Sequence, residues 1–204
     1  MKPGTFAVLV AFLAGVTASH ANITNTTFQA YNDGQMYCTF SNLTQIGPGA
    51  FEQGIHGDQW GFNGGTVRGD IQTDTPGDPS LTLLHSINND TGYTWTNYDV
   101  TITMSQSFSL SGVTVDNGWS DVVTAPVLMG SSWVGYIDLY AAPYGTPVLV
   151  NGILDFGYTM SFTGSVSFSE TLTPGPAPVP EPGVMALLSL GAAGWSARRR
   201  RKTV

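Results

Sequence analysis

Between Asn22 and Pro174 the apolar residues recur at every second position, and no stretch of useful length repeats them at the three-to-four spacing of a helix. The clearest case sets Tyr98, Val100, Ile102 and Met104 against Asp99, Thr101, Thr103 and Ser105, which predicts a strand with one buried face and one wet face. Comparable runs cover residues 35–41, 66–73, 81–88, 108–115, 132–141, 148–156, 158–163 and 165–172. Turn-forming clusters separate them, among them Asn63-Gly64-Gly65, Pro76-Gly77-Asp78-Pro79, Asn88-Asn89-Asp90-Thr91-Gly92, Asp116-Asn117-Gly118 and Asn151-Gly152. About 8–10 short strands punctuated in this way predict an all-β fold, a β-sandwich. The absence of a fixed-period repeat disfavours a solenoid or a propeller.

The two ends follow other rules. Lys2 precedes an apolar run from Phe6 to Val16, and small residues follow at Ser19 and Ala21, which reads as a secretory signal peptide over 1–21 cut after Ala21. The β domain then spans 22–173. Residues 174–182 are a proline-rich spacer, expected to form neither helix nor sheet because proline lacks a donor and restricts the residue before it. An uncharged run over 183–197 reads as a hydrophobic anchor helix, and Arg198, Arg199, Arg200, Arg201 and Lys202 close it as a basic stop within the cytoplasmic tail 198–204. Fifteen helical residues reach only about 22 Å against a hydrocarbon core of about 30 Å. The segment therefore suits a transient anchor in the inner membrane, held by snorkelling arginines until it is cut free.

Val179, Pro180, Glu181 and Pro182, followed by an apolar run with Gly and Ala and a terminal arginine cluster, resemble the PEP-CTERM sorting signal of Gram-negative exopolysaccharide producers. The same tail also goes by the name of ice-binding protein C-terminal domain, a name that carries no ice binding with it. The resemblance covers the last 25 residues or so. It implies recognition of Pro180, Glu181 and Pro182 by exosortase, a membrane cysteine transpeptidase; export by the Sec machinery is expected from the N-terminal signal peptide. Removal of the helix and transfer to the cell surface or extracellular matrix would follow.

Charge sharpens the picture of the body. All 14 acidic residues lie from Asp33 to Glu181, and Arg68 is the one basic residue between the leader and the tail. Such a body repels phosphates, which excludes a nucleic-acid partner and leaves cations or neutral polymers. Cys38 is the only cysteine, so no intramolecular disulfide forms, and its place between Met36 and Phe40 predicts burial.

Candidate chemistry is sparse. Past the leader only His56 and His85 remain. His85 sits in an apolar strand run, where a histidine bonded to its neighbours is expected, and His56-Gly57-Asp58 is expected in a glycine-rich loop. No nucleophile, base and acid stand out, so no catalytic residues are assigned and the chain is read as a non-enzyme. No cofactor is assigned: calcium is the cation hypothesis, through turn oxygens of Asp116, Asn117 and Asp121, and also Asp74 and Asp78, but without EF-hand spacing solvated turns are the favoured reading. Trp60 and Trp119, in loop-like surroundings, are the candidates for stacking on sugar rings. The leading expectation is a structural or adhesive protein of the cell surface or exopolysaccharide matrix. A carbohydrate-binding module for matrix polysaccharide is the alternative, and a secreted hydrolase the third.

Overall fold

The computed structural model of the chain describes residues 21–31, 35–141 and 143–176. The expected signal peptide up to residue 20, the spacer from residue 177, the apolar segment 183–197 and the basic tail lie outside these residues. Among the described residues there is no helix, and the strands are β1 (Ile23–Thr26), β2 (Gln29–Ala30), β3 (Met36–Phe40), β4 (Thr44–Gly47), β5 (Ala50–Gln59), β6 (Gly65–Thr73), β7 (Ser80–Asn89), β8 (Trp95–Met104), β9 (Phe108–Val115), β10 (Ser120–Met129), β11 (Ser132–Tyr140), β12 (Ile153–Phe162) and β13 (Val166–Pro176).

They form two sheets. One is seven-stranded, in the order β1-β6-β13-β8-β11-β10 with β2 also on β6; the other is six-stranded, in the order β3-β5-β7-β12-β9 with β4 also on β5. Every pairing is antiparallel except β5 with β7. The alternation seen in sequence is the cause of the layering. Val100, Ile102 and Met104 of β8 and Leu172 of β13 turn inward from one sheet, Leu81, Leu83, Ile87, Leu154 and Met160 turn inward from the other, and together they make one core.

Thirteen strands exceed the expected 8–10, and the differences have physical reasons. β5 is a ten-residue strand through the segment expected to be a glycine-rich loop, so His56, Gly57 and Asp58 are strand residues. Gly57 is there for space rather than for a turn: a Cβ would lie 3.1 Å from Ile87 Cδ1 and 3.3 Å from Cys38 Sγ, and Cys38 is buried as expected. The break expected in the run 148–163 at Gly157 does not occur either, because β12 runs straight through it, and a Cβ there would meet Leu84 Cδ2 at 2.9 Å and Leu83 O at 3.1 Å. β10 carries Val122, Val123, Val127, Leu128 and Met129 as exposed residues on an edge strand, so it lacks the buried/wet alternation that marks the others.

β13 also runs past the expected domain edge at residue 173. Pro174, Gly175 and Pro176 pair with Tyr98, Asn97 and Trp95 of β8. The register with β6 has already ended at Leu172–Gly65, so these residues have β8 alone as a neighbour, and a proline's missing donor is tolerated beside an open flank.

The registers place the connections β5–β6, β7–β8, β9–β10 and β11–β12 at one end of the sandwich, where β13 also finishes. The connections β6–β7, β8–β9, β10–β11 and β12–β13 lie at the other end.

Candidate functional site

The outer face of the six-stranded sheet is where polar chemistry gathers. Inward positions of β5 are Phe51, Gln53, Ile55, Gly57 and Gln59, which leaves Glu52, Gly54, His56 and Asp58 pointing out. By the same alternation β7 shows Leu84, Ser86 and Asn88, and β12 shows Ile153 and Asp155. Two adjoining depressions on this face share His56 and Ser86. One, of about 490 Å³, is lined by Glu52, Gly54, His56, Leu84, Asp116 and Asp155 among others. The second, of about 500 Å³, runs toward the end where β13 finishes, past Tyr37, Thr39, Asp58, Asn88, Asn151 and Ile153. Together they form an open groove across β3, β5, β7 and β12.

Small residues and amides shape the groove. Gly54 N–H donates to Ser41 Oγ at 2.7 Å, and a Cβ on Gly54 would press on that hydroxyl at 3.2 Å. Asn88 Nδ2 donates to Asp58 Oδ1 at 3.4 Å and to Asp90 Oδ1 at 3.2 Å, which ties one carboxylate of the groove to the next connection. Tyr37 offers the flat ring of the face, 57% exposed. The groove thus combines carboxylate acceptors, amide and hydroxyl groups, the His56 imidazole and one exposed aromatic face, with no Lys or Arg side chain.

The residues expected from the sequence to act scatter differently. Trp60 follows β5 at the end of the sandwich and is 47% exposed. Trp119 is corrected: it is 6% exposed, and its indole Nε1 donates to Thr146 O at 2.7 Å, so it packs the corner under the β11–β12 connection and cannot stack on a sugar. Asp116 and Asn117 lie in the β9–β10 turn, where their carbonyls already accept from Trp119 N and Thr146 N, and Asn117 takes a left-handed φ of 60°. Asp121 is in β10, opposite Leu139. Asp74 accepts from Asn22, and Asp78 accepts from Thr163 Oγ1 at 2.7 Å. Among the described residues no group of three or more His, Cys, Asp or Glu is placed to hold a metal ion. Glu52, Asp155, Ser86 and Asn88 were not singled out by sequence. Glu52, His56 and Asp58 share one parity on β5, a signal legible only once that segment is read as a strand.

A second polar cluster is internal. Glu170 of β13 has no exposed surface, and His85 Nε2 of β7 lies between its two carboxylate oxygens, at 3.0 Å and 3.1 Å. Tyr158 OH of β12 donates to Glu170 Oε1 at 2.9 Å. His85 stacks on Phe156 at 4.3 Å between ring centroids, and its Nδ1 has no hydrogen-bond partner. Nearby, Tyr98 OH donates to Gln59 Oε1, and Gln59 Nε2 donates to Leu172 O at 2.9 Å, a second bridge between the sheets. Burial, and then the Glu170 charge, raise both Tyr98 and Tyr158 well above the ordinary phenol range, so both remain donors. This cluster joins the sheets rather than opening to a ligand.

No curated protein and no solved structure matches the chain. Residues 178–201 match the family model of the PEP-CTERM protein-sorting motif. That span contains Val179 to Pro182 and the arginines up to Arg201, and the motif implies an exported protein that passes through a membrane-anchored stage and is processed by an exosortase.

Proposed function

We propose that the protein is a non-enzymatic adhesive or structural component of the cell surface or exopolysaccharide matrix of a Gram-negative bacterium, and that its β-sandwich holds matrix polysaccharide along the outer face of the six-stranded sheet. The open groove across β3, β5, β7 and β12 carries this reading. A groove open along its length suits an extended chain better than a small molecule enclosed on most sides. Sugar polymers present hydroxyls at the edges of their rings and apolar C–H faces above and below. Glu52, Asp58, Asn88 and Asp155 match the hydroxyls, and the Tyr37 ring matches a face. A polymer that is neutral or carries amines fits a groove lined by carboxylates and without Lys or Arg.

Pull-down of the purified exported protein on neutral, acidic and amine-bearing polysaccharides tests it. Binding to a neutral or amine-bearing polymer, weakened at least tenfold by Tyr37→Ala or by Glu52→Gln together with Asp155→Asn, is the expected result. Preference for an acidic polymer, or binding indifferent to those changes, would defeat the reading. Turnover of a glycoside or ester that disappears in His56→Ala would replace it with a hydrolase.

A further inference from the structure

We propose that the end of the sandwich at which β13 finishes docks on the lipid headgroup zone of the membrane while the sorting segment holds the chain there. The inference rests on the membrane-anchored stage read from the tail and is independent of the polysaccharide groove. Three observations carry it.

The first is reach. Six residues, 177–182, separate Pro176 from the apolar run that starts at Gly183. Extended, they span at most about 20 Å. An anchored tail therefore keeps this end of the domain, and not the other, within a headgroup layer's distance of the bilayer.

The second is what this end presents. Trp60 in the β5–β6 connection, Tyr93 in β7–β8, and Tyr144, Leu149 and Val150 in β11–β12 are all exposed, Tyr144 at 92%. Phe62 meets the Tyr93 ring edge-on at 5.2 Å and steadies it. Trp and Tyr have apolar rings with one polar atom, the composition that settles at a membrane interface. The opposite end differs: its connections 74–79, 105–107, 130–131 and 163–165 contain no aromatic residue.

The third is charge. Residues 60–64 and 141–152 carry no charged side chain, residues 90–94 carry Asp90 alone, and the β9–β10 connection, residues 116–119, carries Asp116 alone. Loops of this kind lose little hydration free energy on entering the interface, and they match zwitterionic rather than anionic lipid in a domain with so many carboxylates.

The test uses the full chain reconstituted into phosphatidylcholine vesicles through its own tail, with a spin label carried by Leu149→Cys or, at the opposite end, by Leu128→Cys. The unsubstituted chain, whose Cys38 is buried, supplies the background. The expected result is a lipid-type label at 149, more accessible to oxygen than to a water-soluble nickel chelate, and a water-type label at 128. Adding Trp60→Ser and Tyr93→Ser to Leu149→Cys should shift the label at 149 to water type with an unchanged far-ultraviolet spectrum. Water-type labels at both positions, or a lipid-type label at 149 that survives those two changes, would overturn the proposal. So would immobilisation of the label at 149 by polysaccharide and not by vesicles, which assigns this end to sugar. Failure of the groove reading shows separately, as polysaccharide binding indifferent to Tyr37→Ala.

Discussion

His85 and Glu170 meet across the core from opposite sheets, with the imidazole Nε2 3.0 Å and 3.1 Å from the two oxygens of a carboxylate that has no exposed surface. A carboxylate in such a place is retained only with its donors supplied, and Tyr158 OH provides the other one. Glu170→Leu leaves His85 and Tyr158 without their shared acceptor. A loss of about 3 kcal/mol is expected, a fall in Tm of roughly 6–12 °C. The triple change His85→Phe, Tyr158→Phe, Glu170→Leu removes donors and acceptor together and should recover most of that loss. Thermal unfolding followed by circular dichroism decides it: a single variant within 1 °C of the parent, or a triple variant worse than the single one, would refute this account.

Asp99 of β8 and Asp138 of β11 are directly opposed in the ladder. Burial, with the Asp138 charge as the second cause, raises the Asp99 carboxyl above its ordinary value, against the pull of a hydrogen bond from Asn97. A raised carboxyl opposes folding once ionised and has no such effect where it is protonated in both states. Asp138→Asn should therefore raise Tm at pH 7 by about 1–3 °C, the worth of one like-charge cross-strand pair. The gain should vanish below about pH 4. A gain of equal size at pH 3 and pH 7 would refute the charge argument.

Asp74 behaves in the opposite sense. Asn22 donates to it from its backbone N at 2.8 Å and from Nδ2 at 2.9 Å, and these bonds, backbone first, hold the carboxyl below its ordinary value of 3.8. A depressed carboxyl contributes stability above its unfolded value and loses it as pH falls through the folded one. Cleavage after Ala21, the site expected from sequence, would turn that backbone nitrogen into an ammonium facing the same carboxylate. The stability difference between the parent and Asp74→Ala should be at full size at neutral pH and shrink below pH 3.8. A difference unchanged down to pH 2 would show that the pair does not hold the first strand in place.

Trp60 and Trp119 should part company. Trp119→Ala empties a packed corner and leaves Thr146 O without its donor, at a cost of about 3–5 kcal/mol. Trp60→Ala, at a half-exposed position, should stay within about 1 kcal/mol of the parent. Denaturant midpoints measure both, and equal losses would contradict the burial difference.

The sequence made the central strands plain and the groove invisible, for one reason. Alternation reports how each residue faces its own sheet, and Tyr98 to Met104 and Val166 to Leu172 are strands that alternate against a dry interior. β5 alternates as well, but its inward positions include Gln53, Gly57 and Gln59, so the pattern reads as a polar glycine-rich loop. Glu52 and Asp155 come together only through the pairing of β5 with β7 and of β7 with β12, which no local pattern contains. Trp119 misled because its neighbours Asn117 and Gly118 form a turn, whereas its own burial depends on Thr146 of a distant connection. The sorting signal is linear and needs no folding to be read, which is why it was the most legible part of the chain.

β13 is both the last strand of the domain and an interior one, flanked by β6 and β8. On the export route expected from the sequence, until residues 166–176 have crossed the membrane the seven-stranded sheet would be split into two halves with raw edges, β1-β2-β6 on one side and β8-β11-β10 on the other. Glu170 arrives with the same strand, so His85 and Tyr158 wait for their acceptor until then. Long-range pairings of this kind close late and slowly. On that route the domain would travel unfinished and set only as its last strand arrives, so export would end and folding complete within the same few residues.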